Sequence, residues 1–299
     1  MSSALEVSEK LKKQFDVRRN NPSDIWGVNW PFKKLNMITG GIQKGELAVL
    51  IADSSVGKSS LAGLMAQTAA EWILQKGLQD KREVRVITLE MVKEAFLSRC
   101  ACADSGVPKS RVRNGYVNAS QADAYIESLS KLGTMPIRYF DAAEIPSVES
   151  LNQALASEID GKRCLFWILD HFHICPKPGG AGGDAPGHEA LANQLTLLSR
   201  KVAPGLVLAQ MTKEALKRDN KRPQMMDVRY SSLLCNNADI VLGLYREDKY
   251  VKWPEDRKYA PRPAELEIIK SRDGETGTLY LDFMPDRLLW VEKEKVKDE

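Results

Sequence analysis

The chain of 299 residues has no apolar run near the roughly 20 residues that a membrane-spanning helix requires, so no span is expected. Its first residues, MSSALEVSEKLKKQ, carry early acids and lack the apolar core of a secretory signal. A soluble protein of the cytoplasm, bacterial or in a phage-infected host, is the expectation. Charge of one sign is scarce as well: 43 Lys and Arg against 40 Asp and Glu leave a net charge of +3. That balance neither demands nor excludes nucleic acid, and it confines any such contact to a local basic loop. The five cysteines (Cys100, Cys102, Cys164, Cys175, Cys235) are odd in number and scattered. Cys100-Ala101-Cys102 lacks the two-residue gap of a zinc knuckle, and no second Cys/His pair completes a site. Reduced thiols packed as small core residues are expected. No internal repeat and no second domain stand out.

The chain does contain an alternation of helical patterns and short apolar runs. Residues 3–19 form an amphipathic pattern in which Val7, Leu11 and Phe15 make one stripe among charged neighbours. A lone helix of this length is marginal in water, so its apolar face must dock on its own domain or on a neighbouring subunit. Residues 1–21 are therefore set apart as a linker helix from a single domain over 22–299. Strands are expected at 46–51, 84–89, 137–140, 164–169, 206–209, 240–245, 266–269 and 278–283. The first several are continuously apolar and separated by helices, as in a parallel sheet buried on both faces. The last two alternate and are joined by Asp273-Gly274-Glu275-Thr276-Gly277, a hairpin signal. The fold class is α/β, a mostly parallel twisted sheet flanked by helices with an antiparallel finish.

After the strand at 46–51 come Ala52-Asp53-Ser54-Ser55-Val56-Gly57-Lys58-Ser59-Ser60 and a helical run over 61–70. Strand, tight turn and helix make a P-loop, in which backbone N–H groups and the positive end of the helix dipole surround nucleotide phosphates. Gly57 permits close backbone approach, Lys58 supplies a cation, and the Ser59 hydroxyl ligates Mg²⁺. The general pattern has Gly where this chain has Ala52. A solvated serine-rich turn would not explain a lysine between Gly and Ser at a helix start.

Three more strands end in polar groups. Residues 164–169 lead into Asp170, the position that holds Mg²⁺ in P-loop enzymes. Residues 84–89 deliver Glu90, a candidate general base for the attacking water, with capping of the next helix as the alternative. Residues 206–209 deliver Gln210, a candidate γ-phosphate sensor or else a satisfied buried amide. In a doubly wound sheet these strand ends share one edge with the P-loop. ATP or another NTP with Mg²⁺ is the implied cofactor pair.

Together these pieces resemble the DnaB-type hexameric helicase family, including the phage helicase–primases, from about Gly27 to Trp290. Trp30-Pro31-Phe32-Lys33-Lys34-Leu35-Asn36-Met37-Ile38-Thr39-Gly40-Gly41 is similar to the segment ahead of that family's P-loop, which also accepts Ala at its first position. Thr88-Leu89-Glu90-Met91 resembles its Ser-Leu-Glu-Met, whose Glu is the base. Ile168-Leu169-Asp170-His171 resembles the phage-type metal-binding strand, and Gln210 falls at the sensor position. Asp227-Val228-Arg229 with Ser231-Ser232 is similar to Asp-Leu-Arg-x-Ser-Gly, Ser232 replacing the Gly. Lys270-Ser271-Arg272 resembles its Lys-x-Arg motif. The resemblance implies a RecA-like core. It also implies that Arg272 is an arginine finger, with Lys270 beside it, acting on the next subunit's ATP; exposed hairpin charges are the alternative. His173 sits where bacterial members tend to carry Gln, and a core or supporting histidine is the plainer reading. No primase or primase-binding domain is expected ahead of the motor.

The family holds single-stranded DNA with loops that follow the metal-binding and sensor strands. Here those are 176–187, glycine-rich with Lys177 as its cation, and 213–224, with five basic residues against two acids. Lys213, Lys217 and Arg218 are the candidate DNA contacts, solvated surface being the alternative. The resulting expectation is a homo-oligomeric ring, a hexamer, that hydrolyses ATP, moves on single-stranded DNA and unwinds duplex in replication, with room for a separate primase or loader. A RecA-like recombinase or regulatory ATPase, or a nucleotide-gated loader or scaffold ring, are the rival readings.

Overall fold

Nine strands join one sheet in a computed structural model that describes residues 3–23, 25–178, 184–228, 232–257 and 260–293. The chain opens with helix α1 (Ala4–Asn20) and α2 (Lys33–Thr39), then β1 (Leu47–Ala52) and α3 (Lys58–Gln75). Next come β2 (Arg82–Thr88), α4 (Lys93–Ser105), α5 (Lys109–Asn114), α6 (Ala119–Thr134), β3 (Ile137–Asp141) and α7 (Val148–Ala156). After β4 (Arg163–Asp170) come α8 (Asp184–Lys201), β5 (Gly205–Gln210), α9 (Ser232–Asn237) and β6 (Ile240–Arg246). β7 (Arg262–Ser271), β8 (Gly277–Met284) and β9 (Leu289–Glu292) finish the sheet. Strand order is β3-β2-β4-β5-β1-β6-β7-β8-β9; neighbours pair in parallel from β3 to β6 and antiparallel from there on.

The period of two in a strand explains the two cores. In β1, Ala48, Leu50 and Ala52 join one apolar cluster, while Leu47, Val49 and Ile51 join the other across the sheet. Helices α3 and α4 contribute to the first cluster, α7 and α8 to the second, so β1 is buried on both faces. At the antiparallel end only one face is covered: Leu279, Leu281 and Phe283 of β8 are buried, whereas Tyr280 between them is exposed. Gly205 is required by packing. A Cβ there would come within 2.1 Å of the Trp167 ring.

Differences from the sequence expectation lie at element ends. Strand β4 continues through Asp170 and β6 through Arg246, so those side chains belong to the strands. Helix α3 begins at Lys58, because Gly57 at φ 117° makes the bend at which it starts. The loop expected over 176–187 is shorter, since α8 is helical from Asp184; its residues 179–183 lie outside the described residues, as do Arg229, Tyr230 and Ser231. Strand β9 was not anticipated at all: four residues are too few for a period to register. All five cysteines are buried free thiols. No helix among the described residues is long and apolar enough to cross a membrane.

Helix α1 forms with a Ser3/Glu6 capping box, and none of its residues is buried. Leu5, Val7, Leu11, Phe15 and Val17 are all exposed.

Candidate active site

Parallel strands bring their carboxyl ends to one edge, and register shows which residues share it. Ala52 pairs with Gln210, and Thr88 pairs with Asp170. The P-loop leaves β1 at this edge. Ala52 is fully buried strand, and its carbonyl accepts the Met211 N–H; a backbone of this kind has no need of glycine, which is why Ala replaces it. Asp53, Ser54, Ser55 and Val56 make the turn, in which Ser55 has φ 58°. Lys58, at the first turn of α3, folds back to donate to the carbonyls of Ala52 (3.0 Å) and Asp53 (2.8 Å). Burial pushes the Lys58 ammonium down to about 8.

Among the described residues, Asp170 has both carboxylate oxygens buried without a hydrogen-bond partner, and the whole residue is completely buried. Burial pushes its carboxyl up; the nearby Ser59 hydroxyl, with His171 and Lys58, pulls the other way without any hydrogen bond closing on it. A buried carboxylate left unbonded costs free energy, and such a group is tolerated where a ligand will complete it. No cluster of three or more His, Cys, Asp or Glu among the described residues could hold a metal alone. Asp170 with Ser59 therefore fits a hydrated divalent cation whose remaining ligands are water and nucleotide phosphate, the pattern Mg²⁺ prefers.

Glu90 stands just past β2, its backbone tied to β4 by the Leu89 N–H donating to Asp170 O at 2.7 Å. Its side chain is exposed and faces His171, whose Nε2 lies 3.7 Å from Glu90 Oε2. The backbone N–H of Gln210 donates to His173 Nδ1 at 3.4 Å, which gives His173 a supporting place under the sensor position. Lys58, Ser59, Ser60, Glu90, His171 and Gln210 line one cleft of about 590 Å³.

The cleft also recruits residues that the sequence reading passed over. Arg246, the last residue of β6, donates to Val56 O at 2.8 Å, pairs with Asp248, and lies 4.3 Å from the Phe283 ring. It braces the P-loop from behind. Trp290 of β9 fills the space beside Gly57, where a Cβ would come 2.7 Å from the indole. Arg99 of α4 and Lys109 of α5 line the rim. Arg246 obeys the rule that points to Asp170 and Gln210, a polar residue closing an apolar strand, and stands in the same relation to 240–245.

Arg272 and Lys270 lie elsewhere. The Arg272 N–H donates to Asp239 O, and the Asp239 N–H to Leu47 O, so Arg272 is level with the start of β1. Its guanidinium is half exposed and meets Asp239 at 2.9 Å. Lys270 donates to Cys235 O and Asn236 O at the end of α9, and burial lowers its ammonium. Of the basic loop, Lys213 and Lys217 are exposed. Arg218 instead makes two 2.7 Å bonds to Asp227, and Arg222 two to Glu265.

The family profile for the DnaB-like helicase C terminal domain matches residues 27–290. The chain belongs to that family. Its relatives include the replicative DNA helicase DnaC of Bacillus subtilis, 27% identical over 94% of this chain and 60% of that protein. The replicative DNA helicase DnaB of Geobacillus stearothermophilus is 26% identical over 95% of this chain and again 60% of its own length. This chain thus spans about three fifths of those relatives. Among solved structures, the ATPase domain of G40P aligns with a TM-score of 0.84 at 22% identity, covering 98% of this chain and 100% of that one. A DnaB-like replicative helicase, described with its interactions with primase, aligns at 0.81 and 22% identity, over 98% of this chain and 68% of that one. At that identity the structural likeness concerns the fold.

Proposed function

We propose that the chain is the ATP-hydrolysing motor of a replicative DNA helicase, working as a ring of identical copies, a hexamer, on single-stranded DNA. Family membership and the replicative-helicase names of its relatives support the activity. Lys58 and the P-loop backbone of Asp53, Ser54, Ser55, Val56, Gly57, Ser59 and Ser60 hold the nucleotide phosphates, Ser59 and Asp170 hold Mg²⁺, and Glu90 orients and deprotonates the attacking water. When bound, the cation supplies charge neutralisation at the phosphate oxygens. Gln210 reads the γ-phosphate.

The observation that carries the ring is a separation. Arg272 is level with Leu47, whereas the P-loop leaves β1 after Ala52. At about 3.3 Å per residue that is on the order of 17 Å along the strand, at the wrong end of the sheet. A guanidinium there reaches a γ-phosphate only on a second copy. Release from Asp239 and approach to the neighbour's nucleotide would make turnover depend on assembly, with Lys270 beside it. The unburied apolar stripe of α1 supports the same arrangement, as a face that docks on an adjacent subunit. DNA is held through Lys213 and Lys217, which are exposed, with Arg218 shaping the loop through Asp227.

Mixing Arg272→Ala with unmodified protein tests this. Turnover should fall more steeply than the fraction of variant added. A strictly proportional decline would remove the arginine from the neighbour's site.

A further inference from the structure

The three histidines of the chain gather beside the site. Ring centroids of His171 and His173 are 5.7 Å apart, and those of His173 and His188 are 5.8 Å apart. His171 is the one that faces Glu90, with Nε2 at 3.7 Å from Oε2. Its ring is held in place: Nδ1 accepts the backbone N–H of His173 at 3.4 Å, and the side chain is 10% exposed against 60% for Glu90. A neutral imidazole that accepts at Nδ1 carries its proton on Nε2. The bond to His173 therefore assigns the tautomer, and the donor nitrogen is the one turned toward the carboxylate.

Glu90 needs such a partner. Its backbone is pinned by the Leu89–Asp170 bond, but an exposed glutamate side chain disperses over many rotamers. A general base must be held within hydrogen-bond reach of its water, and a misplacement of about 1 Å costs roughly a hundredfold in rate. We propose that His171 is a positioning residue, donating Nε2–H to the Glu90 carboxylate and aiming it at the attacking water. The gap of 3.7 Å closes with a shift of under about 1 Å in an exposed side chain. This inference rests on the reading of Glu90 as the base.

A matched pair of variants tests it. His171→Gln carries its amide nitrogen near the place of Nε2; His171→Asn carries it only as far as Nδ1. For His171→Asn, kcat for DNA-stimulated ATP turnover should fall about 10- to 100-fold, with KM for ATP and binding of a non-hydrolysable ATP analogue held within about twofold. His171→Gln should recover most of kcat. In a Glu90→Gln background the His171→Asn change should leave the residual turnover where it was. Unchanged kcat in His171→Asn, equal losses in both variants, or the same loss in the Glu90→Gln background would each overturn the proposal. The two levels separate cleanly. Turnover surviving Glu90→Gln removes the base and this inference together, whereas turnover lost there but intact in His171→Asn removes this inference alone.

Discussion

Two charged side chains buried in neighbouring strands, Asp170 of β4 and Arg85 of β2, live under opposite rules. Both are completely buried. Arg85 is fully engaged: Nε meets Glu83 at 2.9 Å, Nη1 donates to Ala154 O and Ser157 O at 2.7 Å, and Nη2 donates to Lys162 O at 2.9 Å. It closes the end of α7, whose last carbonyls have no partner within the helix. Asp170 has nothing. A buried charge with every bond made is architecture; one whose oxygens accept no hydrogen bond is a candidate for binding. The same contrast runs through the basic loop, where Arg218 and Arg222 are paired and Lys213 and Lys217 are exposed.

The contrast can be broken most sharply at Asp170. Asp170→Asn should cut ATP turnover by about a hundredfold or more, since a Mg²⁺ ligand is worth several kcal/mol. Thermal denaturation of the nucleotide-free variant should show a midpoint equal to or above that of the parent, because an unpaired buried charge has gone. A lowered midpoint would mean that Asp170 is a structural anchor after all. Arg85→Met should do the reverse. Denaturant unfolding should report a loss of about 3–5 kcal/mol, with Glu83 and the α7 carbonyls left short of partners, while turnover per folded molecule stays near the parent value. Stability within about 1 kcal/mol of the parent would say that those bonds are replaced by water.

Lys58 gives a pH test of the same idea. Its ammonium, lowered to about 8 by burial, is partly neutral in the nucleotide-free site, and bound phosphates would raise it again. Affinity for an ATP analogue should therefore fall as pH climbs above about 8, because the proton must be regained on binding, and Lys58→Arg should flatten that slope. A parent slope that is flat from about pH 7 to 9.5 would contradict the shift. The smallest effect concerns DNA. Lys213→Ala with Lys217→Ala should reduce the slope of log affinity for single-stranded DNA against log salt by about 1.4, roughly 0.7 for each phosphate that is no longer neutralised. Arg218→Ala should leave that slope nearly unchanged and loosen the loop instead, visible as faster proteolysis within 213–224. A larger slope change for Arg218 than for the lysine pair would reverse the assignment.

Much of the site was legible because parallel-sheet geometry is a strong constraint. Once 46–51, 84–89, 164–169 and 206–209 read as buried parallel strands, the residues closing them had to meet at one edge, and Glu90, Asp170 and Gln210 do so beside Lys58. Arg246 follows 240–245 just as Asp170 follows 164–169, so the local signal was the same; what the pattern does not carry is its partner, Val56, 190 residues away. Trp290 escaped because β9 is too short to show a period. Arg218 shows a different limit of a local pattern. Counting charges inside 213–224 found two acids, Glu214 and Asp219, but the partners that matter are Asp227 and Glu265, outside the window.

The sequence by itself determined the candidates: a P-loop pattern, and apolar strands closed by Asp170, Glu90 and Gln210, each a local pattern of apolar strand and polar end. Tertiary structure decided which charges remain available to act. Arg246 finds Val56 across 190 residues, and Arg222 finds Glu265 across 43. Sheet register puts Arg272 level with Leu47, at the opposite end of β1 from the P-loop. Those outcomes depend on pairing between distant segments, and a one-dimensional pattern carries the identity of a charge without its partner.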